Sequence, residues 1–319
     1  MFLAYSAQNY IKRLIFENNF VLLWRKNNVK DEKEMKKTSY LWLLCALMAL
    51  LSACRKAQVA SPDAAVKENL QLFDNKAAEA KKAEVQKVKT ITFYEQPAPL
   101  TDRPEQILKR KGYTASYNSK SKNPNWVAWH LTKAHTYGDN QRKNEVFFED
   151  ETIERGQRAT DNDYYNSRYD RGHMCPAGDN KWDAQAMRES FLFTNICPQN
   201  HGLNKYEWND LEIQCRDWAR EYGAIDIVCG PIYNTTGDQK TIGRNKVCVP
   251  DAFFKVILCR QGKPKAIGFI YRNEGVKQTK AEALRSVDEI EALTGIDFFP
   301  ALDDETEERI EAESDLKAW

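Results

Sequence analysis

Residues 126–132 are bulky on both faces. Trp126, Ala128 and His130 project to one side of an extended chain, and Val127, Trp129 and Leu131 to the other. A strand that is bulky on both sides needs cover on both sides, so it belongs in the middle of a sheet. Residues 113–118 read as a second strand, and 224–229, 246–249 and 253–259 as others, broken by Gly230-Pro231 and Pro250-Asp251. A helix is expected over 204–222, where Trp208, Leu211, Cys215, Trp218 and Tyr222 recur at helical spacing and Gly223 provides the stop. A second helix is expected over 279–293, closed by Thr294-Gly295. Strands and helices mix without a regular βαβ alternation, which points to an α+β fold with a central antiparallel or mixed sheet flanked by helices. A chain of 319 residues, 42% hydrophobic and 29% charged, can bury such a core and is not disordered throughout.

The net charge of +1 offers no bulk positive field to a polyanion. It conceals an asymmetry: residues 1–56 hold ten Lys/Arg against four Asp/Glu, and residues 301–319 hold two against eight. Any nucleic-acid site must therefore be a local basic cleft in a near-neutral body, with affinity that falls steeply with salt. The acidic tail, residues 303–315, is most simply a solvated helix face; a second reading makes it a nucleic-acid mimic that shields such a cleft.

The one sustained apolar run, residues 41–53, follows Met35-Lys36-Lys37 and ends in Leu51-Ser52-Ala53-Cys54. It is shorter than the roughly 20 residues of a spanning helix and has the length of a secretory core segment. A positive start, a short apolar core and small residues before a cysteine resemble a bacterial lipoprotein signal, with Cys54 as the lipid-modified residue. An ordinary signal peptide, or a buried helix with an incidental Cys54, would share the apolar run. The expected organisation is an upstream extension over 1–34 with translation beginning at Met35, a signal over 35–53, a charged tether over 54–89, and a globular domain over 90–319. Such a protein would sit in the cell envelope, anchored to the membrane through Cys54 and facing the periplasm or the exterior.

Outside the signal and Cys54, six cysteines remain: Cys175, Cys197, Cys215, Cys229, Cys248 and Cys259. An even number in an exported chain favours disulfides. No CxxC pair occurs, and the four histidines do not complete a zinc-finger spacing with these cysteines.

Two segments are polar where a core would be expected. The first is Asp170-Arg171-Gly172-His173, and the second is Thr194-Asn195-Ile196-Cys197-Pro198-Gln199, running on to Asn204, Trp208 and Glu212. Arg171 and His173, two apart, would point the same way on a strand. A neutral imidazole can take a proton from water near pH 7, and a guanidinium beside it can hold a phosphate oxygen. On the expected helix, Asn204 begins the apolar stripe and Glu212 borders it about 80° round. One amide oxygen and one carboxylate suit a hard divalent cation that keeps most of its waters, such as Mg²⁺; a helix cap and a solvated carboxylate would explain the same two residues.

These two motifs, in this order and at this spacing, resemble the signature of the DNA/RNA non-specific endonucleases of the ββα-metal (His-Me finger) superfamily. The resemblance runs over roughly residues 91–300. It implies a nuclease that hydrolyses DNA and RNA without strong sequence preference and leaves 5′-phosphate ends, with Mg²⁺, or Mn²⁺, as cofactor. It implies His173 as general base, Asn204 as the direct metal ligand, Glu212 as a ligand through water, Asn195 as an orienting residue and Arg171 as a phosphate clamp. A second phosphate-binding arginine is expected upstream: Arg142 is the candidate, with Arg155 and Arg158 as rivals. Tyr164, Tyr165 and Tyr169 could stack on bases or could be core. Cys175 and Cys197, each two residues after a motif side chain, suggest a disulfide bracing the site. A non-catalytic nucleic-acid-binding or partner-binding lipoprotein on the same fold, and a phosphodiesterase for small phosphodiesters, are the competing readings.

Overall fold

The computed structural model describes residues 93–234 and 238–319. The signal, Cys45, Cys54 and the tether lie outside the described residues.

Seven strands build one sheet in the order β1-β2-β3-β6-β9-β10-β11. They are β1 (Gln106–Lys109), β2 (Thr114–Asn118), β3 (Asn123–Thr132), β6 (Ala224–Ile232), β9 (Ala252–Cys259), β10 (Lys265–Arg272) and β11 (Leu284–Arg285). Every pairing is antiparallel. β3 sits inside the sheet between β2 and β6, and its two faces feed two separate cores. Val127, Trp129 and Leu131 join Leu211, Cys215 and Trp218 on one side. Trp126 and Ala128 join Val287, Ile290, Phe298 and Ile310 on the other. The fold is α+β, with cover on both faces as the bulky alternation of β3 requires.

β6 runs through Gly230-Pro231, where a break was expected, to Ile232. The last β3 pairing is Val127 with Cys229, so Pro231 has only β9 as a neighbour and interrupts no ladder with β3. Gly230 is needed for this packing, since a Cβ there would lie 2.4 Å from the Asn125 carbonyl oxygen.

Both expected helices are divided. In place of one helix over 204–222 there are two, α3 (His201–Lys205) and α4 (Glu207–Tyr222). They break at Tyr206, whose φ −113° and ψ −84° leave the helical region. The Asn200 side chain caps α3 by accepting from Gly202 N at 2.9 Å. Asn204 therefore stands on a different helix from the apolar stripe it was expected to begin. The region 279–293 splits into α5 (Lys280–Ala283), the short strand β11 and α6 (Val287–Thr294). Two capping boxes, Thr279 with Glu282 and Ser286 with Glu289, start the two helices separately. Gly295, at φ 66°, closes α6 in the left-handed conformation.

The acidic tail forms α7 (Asp304–Glu311), which buries Ile310 in the second core and Glu311 beside it. It is not simply a solvated face. Two earlier short helices, α1 (Asp161–Tyr164) and α2 (Ala184–Glu189), and the two-stranded ribbon of β4 (Asp170–His173) with β5 (Ile196–Gln199), complete the frame around the site. A small pair, β7 (Thr241–Ile242) and β8 (Val247–Cys248), lies apart from both sheets. Among the described residues no helix is long and apolar enough to cross a membrane.

Candidate active site

β4 carries the first motif and pairs with β5, which carries the second, in the register Asp170–Gln199, Gly172–Cys197 and His173–Ile196. Gly172 is required by this contact, because a Cβ would lie 2.2 Å from Gln199 Oε1. α3 and α4 follow directly, so the two polar segments meet across one cavity of about 440 Å³. His173, Asn204, Glu212, Arg142 and Arg216 line it, together with Asp170, His201 and Lys181.

His173 ends β4 and is 6% exposed. Its ring rests against Phe147, with centroids 5.3 Å apart, and edge-on to Phe191 at 4.9 Å. Its backbone oxygen accepts from Trp208 Nε1 at 3.2 Å, which ties the strand to α4. Nε2 is buried without a hydrogen-bond partner. Burial, then the nearby Arg142 charge, lowers the imidazole pKa to about 3, so the ring is neutral at pH 7 with a free lone pair.

Asn204 donates from Nδ2 to Asp170 Oδ2 at 2.9 Å, and His201 Nδ1 meets the same carboxylate oxygen at 2.9 Å. With the amide nitrogen committed, Oδ1 is the atom Asn204 can offer to a ligand. Glu212 stands partly buried at the cavity wall. Burial raises its pKa to about 7, against the pull of Lys255, Arg216 and Arg142. A neutral amide oxygen and a carboxylate opening on one cavity fit a hard divalent cation.

Asn195 is fully buried and locks the chain beyond His173 rather than lining the cavity. Its Oδ1 accepts from Cys175 N at 2.9 Å, and its Nδ2 donates to the carbonyls of Cys175 and Ser190, each at 2.8 Å. Arg171 does not line the cavity. Its Nε donates to Asp161 Oδ1 at 2.7 Å, and its guanidinium lies 5.6–5.7 Å from the Tyr164 and Phe147 ring centroids. Of the three upstream arginines, Arg142 faces the cavity, Arg158 is paired with Glu149 at 2.7 Å, and Arg155 is exposed elsewhere. Among the tyrosines, Tyr164 is core and Tyr169 packs against the same cluster and accepts Lys240; Tyr165, 74% exposed, is the one open to a ligand.

The proposed Cys175–Cys197 disulfide is absent. All six cysteines are free thiols, and five of them are buried. In the β4–β5 register Cys197 faces Gly172, three positions from Cys175. Cys175 lies past the end of β4, in the bend that follows His173, so it is not a cross-strand partner of Cys197.

Three residues of the site were missed from the sequence. Arg216 lies one turn beyond Glu212 on α4 and donates to Asp179 Oδ1 at 2.9 Å, so its i, i+4 spacing was the available signal. Asp179, 3% exposed, also accepts from Trp129 Nε1 at 3.1 Å. Burial raises its pKa, against the opposing pull of Arg216 and Lys255. Lys255 is fully buried on β9, its Nζ without a hydrogen-bond partner and 4.4 Å and 5.3 Å from the Trp208 and Trp129 ring centroids. Burial alone would lower its pKa, but Cys229, Cys215, Glu212 and Asp179 together hold it above the usual value. A single lysine inside the apolar strand 252–259 was its signal.

A histidine-bearing antiparallel ribbon is thus followed by a helix pair that presents an asparagine and a carboxylate to the same cavity. Residues 90–305 match the model of the DNA/RNA non-specific endonucleases, and the chain belongs to that family of phosphodiester hydrolases. It is 33% identical over 248 residues to the mitochondrial nuclease EXOG of Xenopus laevis, covering 73% of this chain and 68% of that one. To human endonuclease G it is 31% identical, covering 61% of this chain and 70% of the relative. The chain spans 56% of the human nuclease EXOG, at 36% identity and over 60% of its own length. A solved structure titled as an EndoG/EndoGI complex superposes with a TM-score of 0.61 at 27% identity, over 67% of this chain and 91% of that one.

Proposed function

We propose that the chain cleaves DNA and RNA internally, by hydrolysis at the cavity of His173, Asn204 and Glu212, and leaves 5′-phosphate and 3′-hydroxyl ends. The observation that carries this reading is the bare, buried Nε2 of a neutral His173 on the same cavity as Asn204, Glu212 and two arginines.

His173 Nε2 takes the proton of a water molecule as its oxygen attacks phosphorus, the P–O3′ bond breaks, and the departing 3′ oxygen takes a proton from solvent water to become the 3′-hydroxyl. A substrate phosphate would offset the Arg142 charge that depresses the imidazole, and so raise its basicity as the base is needed. Arg142 and Arg216 hold phosphate oxygens, and Asp179 keeps the Arg216 guanidinium in place. Asp170 holds the Asn204 amide through its Nδ2 and leaves Oδ1 free for the cation. A divalent cation, Mg²⁺ or Mn²⁺, held by Asn204 Oδ1 and through water by Glu212, would supply positive charge opposite the phosphate and the departing oxygen. Contacts to phosphate carry no base information, which accounts for cleavage without sequence preference. Arg171, turned to Asp161, acts outside the first contacts with the scissile group.

The signal-like residues 35–53 and Cys54 extend this reading to a lipid-anchored enzyme of the cell envelope, carried on the tether 54–89 and facing the periplasm or exterior. Detergent-phase partitioning of the wild type and of Cys54→Ala tests the anchor: partitioning that survives the substitution refutes it.

For the activity, plasmid DNA and RNA are incubated with the purified chain in Mg²⁺, in EDTA, and with His173→Ala. Degradation in Mg²⁺ alone, lost with His173→Ala, is the expected result. A folded wild type that cuts neither substrate in Mg²⁺ or Mn²⁺ refutes the proposal. Ligation of the products without prior phosphorylation checks the 5′-phosphate ends.

A further inference from the structure

On the sheet face opposite α4, three carboxylates converge: Asp288 and Glu291 of α6 and Glu311 of α7. Each offers an oxygen, and the three lie within 4.8 Å of one another. Clustering of acids on a helix surface is common and indicates nothing by itself. Glu311 differs from a surface acid because it is only 5% exposed and its Oε1 has no hydrogen-bond partner. Among the described residues no lysine, arginine or histidine pairs with any of the three. An unpaired carboxylate in such a position is costly, and the usual compensations are a partner, a proton or a metal ion.

We propose that Asp288, Glu291 and Glu311 form a structural Ca²⁺ site that fastens the C-terminal helix α7 to α6, across the sheet from the candidate active site. Oxygens that share one Ca²⁺, at about 2.3–2.6 Å each, lie within about 5 Å of one another, as these three do. The graded exposure fits capture from solvent: Asp288 is exposed, Glu291 half-buried and Glu311 buried, so an ion can enter at the first and be held by the last. One oxygen of Glu291 is oriented by the Phe298 N–H at 2.6 Å, which fixes that carboxylate at the start of the segment leading to α7. The remaining Ca²⁺ positions are open to water from the Asp288 side. The neighbouring acids Asp297 and Glu307 add to the negative field that draws a cation, and they raise the proton affinity of Glu311 as well. The site shares no residue with the nuclease cavity and does not depend on it.

The test is thermal unfolding of the full chain in EDTA, then across a CaCl2 titration and a MgCl2 titration, for the wild type, Asn204→Ala, Asp288→Asn and Glu311→Gln. At a hundredfold excess over Kd, Ca²⁺ should raise the wild-type Tm by about 5–10 °C. Asn204→Ala, which removes a ligand of the other site, should keep that shift. Glu311→Gln should lose it, and Asp288→Asn should need at least about tenfold more Ca²⁺ for the same rise. Asp288 is exposed, so its variant keeps the test decisive if Glu311→Gln does not fold. No wild-type shift up to about 10 mM Ca²⁺, well above the weakest extracellular affinities, overturns the site. So does a shift that disappears in Asn204→Ala but persists in the two carboxylate variants. In Asn204→Ala, which lacks the other site's ligand, a response to Mg²⁺ as strong as that to Ca²⁺ overturns the assignment to calcium.

Discussion

Two groups of carboxylates in this domain have raised pKa values, and they differ in what stands opposite them. At the cavity, Glu212 and Asp179 face Lys255, Arg216 and Arg142, so the chain supplies its own cations. At the C-terminal cluster, Glu291 is pushed to about 7 by burial, and Glu311 to about 9 by burial and then by Glu291, Glu307, Asp288 and Asp297, with no cation in either balance. A raised carboxylate pKa alone therefore does not mark a catalytic acid. The balance of charge around it separates a site built to hold an anionic substrate from one that lacks a positive partner.

Breaking the first group should have the largest effect. His173→Ala is expected to lower cleavage by about 10²–10⁴-fold, the range for loss of a general base, while leaving the Ca²⁺-dependent Tm shift intact. Loss of both would mean that the two regions are not separate. Next, Arg142→Ala should lower kcat/KM by roughly 10–100-fold, consistent with loss of one charge-assisted phosphate contact, and Arg158→Ala should change it little. Equal effects in steady-state assays would remove Arg142 from the cavity's charge balance.

Lys255→Met sharpens the comparison by making the cavity resemble the cluster. Glu212 then loses one of the cations that keep it ionised, and the acid limb of the pH–rate profile should move up by roughly one unit. An unchanged profile in a folded variant would show that Lys255 acts only in packing. The complementary change, Glu311→Gln, relieves the cluster. The folded-state pKa of Glu311 lies above its ordinary value of 4.5, so the native state binds the proton more tightly than the unfolded chain. The contribution to stability is present below about pH 4.5 and is lost as pH rises toward 9. Glu311→Gln should therefore melt several degrees above wild type in EDTA at pH 8, with the gap closing near pH 4.5. A wild type that is the more stable at pH 8 without Ca²⁺ would contradict the charge imbalance. The smallest effect is expected of Tyr165→Ala, a change of at most a few-fold in KM for single-stranded substrate from loss of one stacking ring.

The chemistry of the cavity was legible because it is carried by short segments. Asp170-Arg171-Gly172-His173 forms one strand, and Asn195 through Gln199 turns into its partner, so residues close in sequence meet in space. The central strand was legible for a similar reason: Trp126 to Leu131 carry bulk on both faces whatever surrounds them. Errors arose where a strong pattern hid a weaker one. The apolar stripe of 208–222 continued the helix back through Asn204, although Asn200 had already capped a separate turn. The regular spacing of 279–293 masked Ser286 and Glu289, a complete capping box inside it.

What the sequence by itself determined was the local chemistry: the family motif, the order of its residues, the central strand and the stops at Gly223 and Gly295. Tertiary structure alone decided which charges are buried and what faces them. It set Lys255 beneath two tryptophans, turned Arg171 toward Asp161 and Arg142 toward the cavity, and left Cys175 beyond the end of the ribbon that holds Cys197. It also brought Glu311 to Asp288 and Glu291 from another helix. The physical reason is that periodicity and propensity act between near neighbours along the chain. The cost of burying a charge depends on every group packed around it, and those groups come from strands and helices far apart in the sequence.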